Sequence, residues 1–313
     1  MRLKDLHLLP KFRDGLSYLY VEHCKIDREN NAIVVNDKDG AIPVPCAALA
    51  LIMLGPGTTI THAAITVLAE NGCLVLWCGE KAVRFYAQGM GETRRSQNIM
   101  KQAKLCSDPE LRIEVVRNMY EMRFGGNLDR SLSIQQIRGM EGIRVRNAYR
   151  EASKRAGIPW KGRSYKVDAW DTSDCINRAL SSANTCLYGL CHAAIVSAGF
   201  SPALGFIHVG KMSSFVYDIA DLYKTETTIP VAFECTAEGS ENIERRVRLK
   251  CRDVFWEMRL LERIIPDIER VLTVSGCELK DEDGFVDYDG SVDLPGLIWD
   301  PSSGAVEGGC NYG

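Results

Sequence analysis

AVRFYAQGMGETRRSQNIMKQAKLC, residues 82–106, holds the change of period on which the fold turns. Before it the apolar runs are short and strand-like: LSYLYVEHCKID at 16–27, AIVV at 32–35, ALALIML at 48–54 and CLVLWC at 73–78. AVRFYAQ is the last of them, and NDKDG at 36–40 is a turn signal between two. One amphipathic helix interrupts the strands, THAAITVLAENG, with Thr61 or Thr59 as its N-cap and Gly72 as its stop. From Ser96 onward the spacing is helical, with candidates near 96–106, 109–124, 133–156, 172–198, 213–224, 242–256 and 257–275. Ser133 with Gln136 forms a capping box, and Gly125, Gly157 and Gly199 mark helix ends. The expected class is α+β: a small N-terminal β-rich domain with one helix over 1–89, a larger all-α domain over 90–277, and a flexible acidic tail over 278–313.

Charge divides the chain in the same way. The tail has nine acidic residues and one lysine, so the net charge of −3 hides a basic body. Between Arg84 and Arg163 there are seventeen basic residues against eight acidic ones, and thirteen of the seventeen are arginine. The planar guanidinium fork matches phosphate oxygens, so the segment points to a polyanion partner, although solvated helix faces also collect charge. The longest apolar runs stop short of the roughly 20 residues a membrane-crossing helix needs, and no signal-peptide pattern opens the chain. A cytoplasmic protein with no membrane partner is expected. The twelve cysteines contain no C-x-x-C pair, which argues against zinc and for small buried hydrophobes in a reducing compartment.

FIHVGKMSSFVYDIADLYK, residues 206–224, reads as core yet carries His208, Asp218 and Asp221. A carboxylate taken out of water needs a partner. On a helix capped by Ser213 or Ser214, Asp218 and Asp221 at i, i+3 share a face, with Lys224 further along. His208 precedes it in a link flanked by Gly205 and Gly210, and a third carboxylate, Glu141, lies among Arg138, Arg144 and Arg146. A His and carboxylate set without thiols suits Mg²⁺ or Mn²⁺ better than zinc. The residues alone leave ion pairing with neighbouring arginines open as the other explanation, and spacing does not show that Glu141 meets His208.

The blocks EGIRVR at 141–146, GFIHVGK at 205–211 and SFVYDIADLYK at 214–224 resemble the active-site blocks of CRISPR-associated protein one, the integrase and endonuclease of spacer acquisition. IMLGPGT at 52–58, Thr61 with His62, and TCLYG at 185–189 resemble its I-E subtype, and the match runs in order to about residue 275. The resemblance implies Glu141, His208 and Asp221 as metal ligands and Asp218 as a supporting catalytic carboxylate. It implies joining of the 3′-OH ends of a short duplex with 3′ overhangs to CRISPR repeat DNA, by direct transesterification and without ATP. It also implies a homodimer formed through the β-rich domain, working with the small ferredoxin-like second adaptation protein.

For holding DNA, the matching positions are Arg84, Arg138, Arg146, Arg163, Lys211, Lys224, Arg245 and Arg248, with Tyr165 and Tyr188 for single-stranded ends. The chain departs from its relatives at His23, which stands where they place an aromatic wedge, and at Thr59 and Thr66, where basic residues are common. Two other functions stay open: a structure-selective nuclease of repair with water as nucleophile, and a non-catalytic DNA-binding scaffold whose acidic cluster is only ion-paired.

Overall fold

The computed structural model describes residues 17–30, 32–46, 49–79, 85–89, 96–162, 175–275, 298–300 and 304–306. The β-like run at 16–27 is two strands in two sheets. β1 (Ser17–Val21) ends, His23 takes a left-handed backbone with φ 52°, and β2 (Lys25–Glu29) leaves in a new direction. β2 pairs antiparallel with β3 (Ala32–Asp37), which pairs with β4 (Gly40–Pro45). The NDKDG turn closes the second hairpin: Asp37 Oδ1 accepts from the N–H groups of Asp39 and Gly40 at 2.8 and 3.1 Å. β4 carries Pro43 and Pro45 and is an edge strand, where a missing N–H costs no ladder bond. β6 (Thr59–Ile60) completes this sheet beside β2.

The other sheet has the order β1, β5 (Leu49–Leu54), β7 (Leu74–Cys78), β8 (Phe85–Gln88), with the first three strands parallel and β8 antiparallel to β7. Parallel strands need a crossover, and between β5 and β7 it includes α1 (His62–Glu70), capped by Thr61, whose side chain accepts from Ala64 N–H. Side chains alternate across this sheet. Ile52, Leu54 and Val75 join the core that holds Ala64, Val67 and Leu68 of α1, whereas Leu51, Met53, Leu74 and Leu76 pack with Ala193 and Val196.

Ala193 and Val196 belong to α5 (Cys175–Ser197), the axis of the helical part. It is long and apolar enough to cross a membrane by length and composition, and two-thirds of that stretch, 67%, is buried inside the fold. Around it lie α2 (Gln97–Ser107), α3 (Pro109–Phe124), α4 (Ile134–Ala156), α6 (Ser214–Ala220), α7 (Thr228–Ala237), α8 (Ile243–Glu257) and α9 (Leu260–Val271). The expected signals work at α3 and α4: Gly125 ends α3 at φ 72°, the Ser133–Gln136 capping box starts α4 and Gly157 ends it at φ 68°. Asp108, a cap not singled out from the sequence, starts α3 ahead of Pro109.

Three expectations change. The helix expected over 213–224 stops at Ala220 and continues as turns, because Leu222 N–H bonds back to Ile219 and Tyr223 N–H to Ala220, a tighter i→i+3 pattern. α7 was not expected at all; Thr227, Thr228, Ile229 and Pro230 read as non-helical, yet Pro230 sits in the first turn, where no N–H is needed. None of the ten described cysteines is in a disulfide. The segment 278–313 is a separate unit, in which β9 (Ile298–Asp300) and β10 (Gly304–Val306) pair antiparallel, an element not expected from its composition.

Candidate active site

The link between α5 and α6 is fixed from both sides before it presents any chemistry. From α2, buried Gln102 donates to the carbonyls of Ser201 and Leu204, both at 2.9 Å, and accepts from Ser201 N–H at 2.7 Å. From α3, Arg112 donates to the carbonyls of Phe206 and Gly205. Gly205 has no room for a side chain: a β-carbon there would sit 2.7 Å from Ser214 Cβ and overlap the carbonyl of His208.

Asp218 on α6 is fully buried beneath this link. The N–H groups of Phe206, Ile207 and His208 donate to its oxygens at 2.6, 3.1 and 2.9 Å. The fourth donor is the His208 ring, with Nδ1 at 2.7 Å from Oδ1. A carboxylate oxygen accepts, so Nδ1 carries a proton and a neutral ring has its lone pair on Nε2. Nε2 points to Asp221, 3.9 Å from Oδ2, and the ring is 41% exposed, open to a ligand.

Asp221 caps the C-terminus of α6 and bonds Lys224 Nζ at 2.6 Å. Burial pushes its carboxyl up, but Lys224 and Arg123 outweigh it and hold it below the usual carboxylate range. Burial likewise opposes the charge on Lys224, and Asp221 overcomes it, so the ammonium is held above its ordinary range. The ammonium lies 4.8 Å from the centre of the Tyr188 ring, and Tyr188 meets Tyr217 edge-on, which meets His208 in the same way.

Glu141 arrives from α4. Arg144 donates to both its oxygens, at 2.7 and 3.0 Å, in a bidentate pair. The element that joins Glu141 to Asp221 is Arg123 of α3, whose side chain is 3% exposed. Its guanidinium lies 3.5 Å from Glu141 and 3.6 Å from Asp221 and donates to the Asp218 carbonyl at 3.3 Å. The sequence reading missed Arg123, although Val116, Tyr120 and Arg123 at i, i+4, i+7 put it on the buried face of α3. It missed Tyr217 too.

All four acidic-site residues are therefore brought to one place, from α4, α6 and the link. The donor set of two carboxylates and one imidazole nitrogen suits a hard divalent ion in type. Among the described residues, no three His, Cys, Asp or Glu side chains close into a ready metal cluster. Arg123 stands between Glu141 and Asp221, and Arg144 draws Glu141 towards itself.

Of the expected DNA contacts, Lys224 and Tyr188 line the site itself. Arg138 and Arg146 are exposed on the same helix as Glu141, and Lys211 is exposed three residues after His208. Arg245 is exposed and Arg248 half-buried on α8, while exposed His23 occupies the β1–β2 turn, its N–H bonded to Pro56 O at 2.9 Å. Arg84, Arg163 and Tyr165 lie outside the described residues.

Comparison with known proteins places this arrangement. The family model described as CRISPR associated protein Cas1 matches residues 17–126 and 122–242. CRISPR-associated endonuclease Cas1 2 of Thermus thermophilus is 52% identical over 310 residues, covering 99% of this chain and 94% of the relative. CRISPR-associated endonuclease Cas1 of Escherichia coli is 44% identical, over 83% of this chain and 86% of its own length. The crystal structure of a TtCas1–DNA complex superposes with a TM-score of 0.73 at 54% identity, over 84% of this chain and 99% of that one. With its strands, its helical part and these blocks in matching order, the chain belongs to the CRISPR-associated Cas1 family.

Proposed function

We propose that this protein is a divalent-metal-dependent DNA integrase and endonuclease of CRISPR adaptation. It would join the 3′-OH ends of a short duplex with 3′ overhangs to CRISPR repeat DNA. The observation that carries the reading is that His208 Nε2 lies 3.9 Å from Asp221, which shares the Arg123 guanidinium with Glu141, with Asp218 fixing the imidazole from behind. The relatives from T. thermophilus and E. coli are named endonucleases, and the TtCas1 structure contains DNA, which supports the substrate class.

Glu141, Asp221 and Nε2 of His208 would hold Mg²⁺ or Mn²⁺. Such an ion would supply polarisation of the scissile phosphate and stabilisation of the charge on the pentavalent phosphorus and the departing 3′ oxygen. The remaining work falls to the chain's own groups. Asp218 keeps the proton of His208 on Nδ1 so that Nε2 stays a ligand. Lys224, anchored on Asp221 and lying over the Tyr188 ring, presents positive charge to a phosphate, while Tyr188 offers a face to an unpaired base. Arg138, Arg146, Lys211, Arg245 and Arg248 would follow the DNA backbone. The β-rich part at 1–89 serves dimerisation and duplex contact and 90–277 the chemistry. The ferredoxin-like second protein would complete a larger assembly, of the I-E subtype by its motifs.

One observation favours a second reading, the non-catalytic scaffold: every carboxylate of the cluster already has a partner. Incubating the overhang duplex with a repeat-bearing supercoiled plasmid, the second protein and Mg²⁺ or Mn²⁺ separates them. Joined product that disappears with EDTA supports the integrase. Nicking without joining points to a repair nuclease, and binding with neither reaction points to the scaffold.

A further inference from the structure

The acidic cluster carries its own counter-charge. Glu141 and Asp221 supply two negative charges, and Arg123, Arg144 and Lys224 supply three positive ones within salt-bridge distance of them; Asp218 adds a third negative charge behind, held by three backbone N–H groups and the His208 ring. Arg123 is too deeply buried to withdraw into water, and its Nε has no hydrogen-bond partner in the fold. A divalent ion entering alone would therefore meet a cluster already neutralised by its own guanidiniums and ammonium, and leave an excess of positive charge in a poorly solvated place.

A phosphate removes that obstacle. Arg144 is only partly buried, at 23% exposure, and its planar fork fits phosphate oxygens as well as it fits the Glu141 carboxylate. A phosphodiester beside the cluster can draw Arg144 off Glu141, freeing both carboxylate oxygens, while its own charge offsets part of the ion's. We infer that the site takes up its divalent ion and a DNA phosphate as a coupled pair, with Arg123 and Arg144 keeping ion affinity low until the phosphate arrives. The inference rests on the metal-dependent reading of the site and adds the order imposed by its built-in cations. Coupling of this kind is reciprocal, so the ion must tighten DNA binding by the same factor.

Mn²⁺ binding to the full chain, followed by the electron paramagnetic resonance signal of the unbound ion, tests this without turnover. The overhang duplex should tighten Mn²⁺ binding about 5- to 150-fold beyond the protein and the duplex measured separately. Equal affinity with and without DNA overturns the coupling. Arg144→Gln, and Arg123→Gln if it folds, should tighten Mn²⁺ binding in the absence of DNA; unchanged or weaker binding in the folded variant overturns the role given to the arginines. With DNA present, Glu141→Ala should lose the tight Mn²⁺; if it does not, the metal-site reading itself has failed, an outcome distinct from a tight site that ignores DNA.

Discussion

Asp218 lies fully buried behind His208 and bonds its Nδ1 at 2.7 Å, so the histidine that faces the solvent is oriented by a carboxylate that never reaches it. Asp218→Asn puts an amide N–H₂ among four donors and leaves at least one of them unpaired. The cost is about 1–3 kcal/mol of stability, measured by denaturant unfolding. The ring also loses its fixed tautomer, and joining should fall about 10- to 100-fold, as for other residues that orient a metal-binding histidine. Stability and activity both at wild-type level would remove Asp218 from this role.

Two glycine substitutions should move stability in opposite directions. Gly205→Ala forces a β-carbon against Ser214 and the His208 carbonyl, an overpacking that costs about 1–3 kcal/mol and displaces His208. Gly139, inside α4 with nothing near its missing side chain, should gain about 0.5–1 kcal/mol on conversion to alanine. Thermal melts of the two variants check both signs.

Stability should fall on acidification well before the carboxylates titrate. His192 is buried on α5, and burial pushes its imidazole down to about 4 from 6.5. Between those values the unfolded chain binds a proton that the folded chain refuses, so stability drops as pH falls, by at most about 3 kcal/mol. Asp221, held low, contributes stability that is lost only in more acidic solution, as pH falls through its depressed value. Chemical denaturation between pH 7 and pH 4 should show a steeper loss for wild type than for His192→Gln; parallel curves would assign the slope elsewhere.

The exposed basic residues near the site predict a salt signature. If Arg138, Arg146 and Lys211 each touch a phosphate, replacing any one with alanine should reduce the slope of log K against log salt by about 0.9 and leave sequence preference unchanged. Fluorescence anisotropy across a salt series reads this directly. An unchanged slope shows that the residue in question faces away from DNA.

Local signals were legible where local physics decides. The helical spacing over 109–124 with Gly125 after it bounds α3 residue for residue, and Ser133 with Gln136 starts α4. α7 was hidden because its Thr-Thr-Ile-Pro start reads as a strand or turn, while burial of Ile229, Val231 and Phe233 against α5 holds it helical. The strand-like run at 16–27 could not reveal its division between two sheets, since β1 pairs with β5 much further along the chain whereas β2 pairs with β3, the very next strand. At the site, the motif residues were all visible, but their meeting was not. Glu141 and Asp221 lie 80 positions apart in sequence and are joined by Arg123, an arginine on a helix that local reading takes for surface.

The most direct measurement is strand joining of the overhang duplex into a repeat-bearing plasmid by Glu141→Ala, His208→Ala and Asp221→Ala, each first shown to fold and to bind DNA. The account predicts joining by wild type and none by any of the three. Joining at the wild-type rate by the folded His208→Ala variant would contradict it, and would leave the cluster as a set of ion pairs that holds the fold and performs no chemistry.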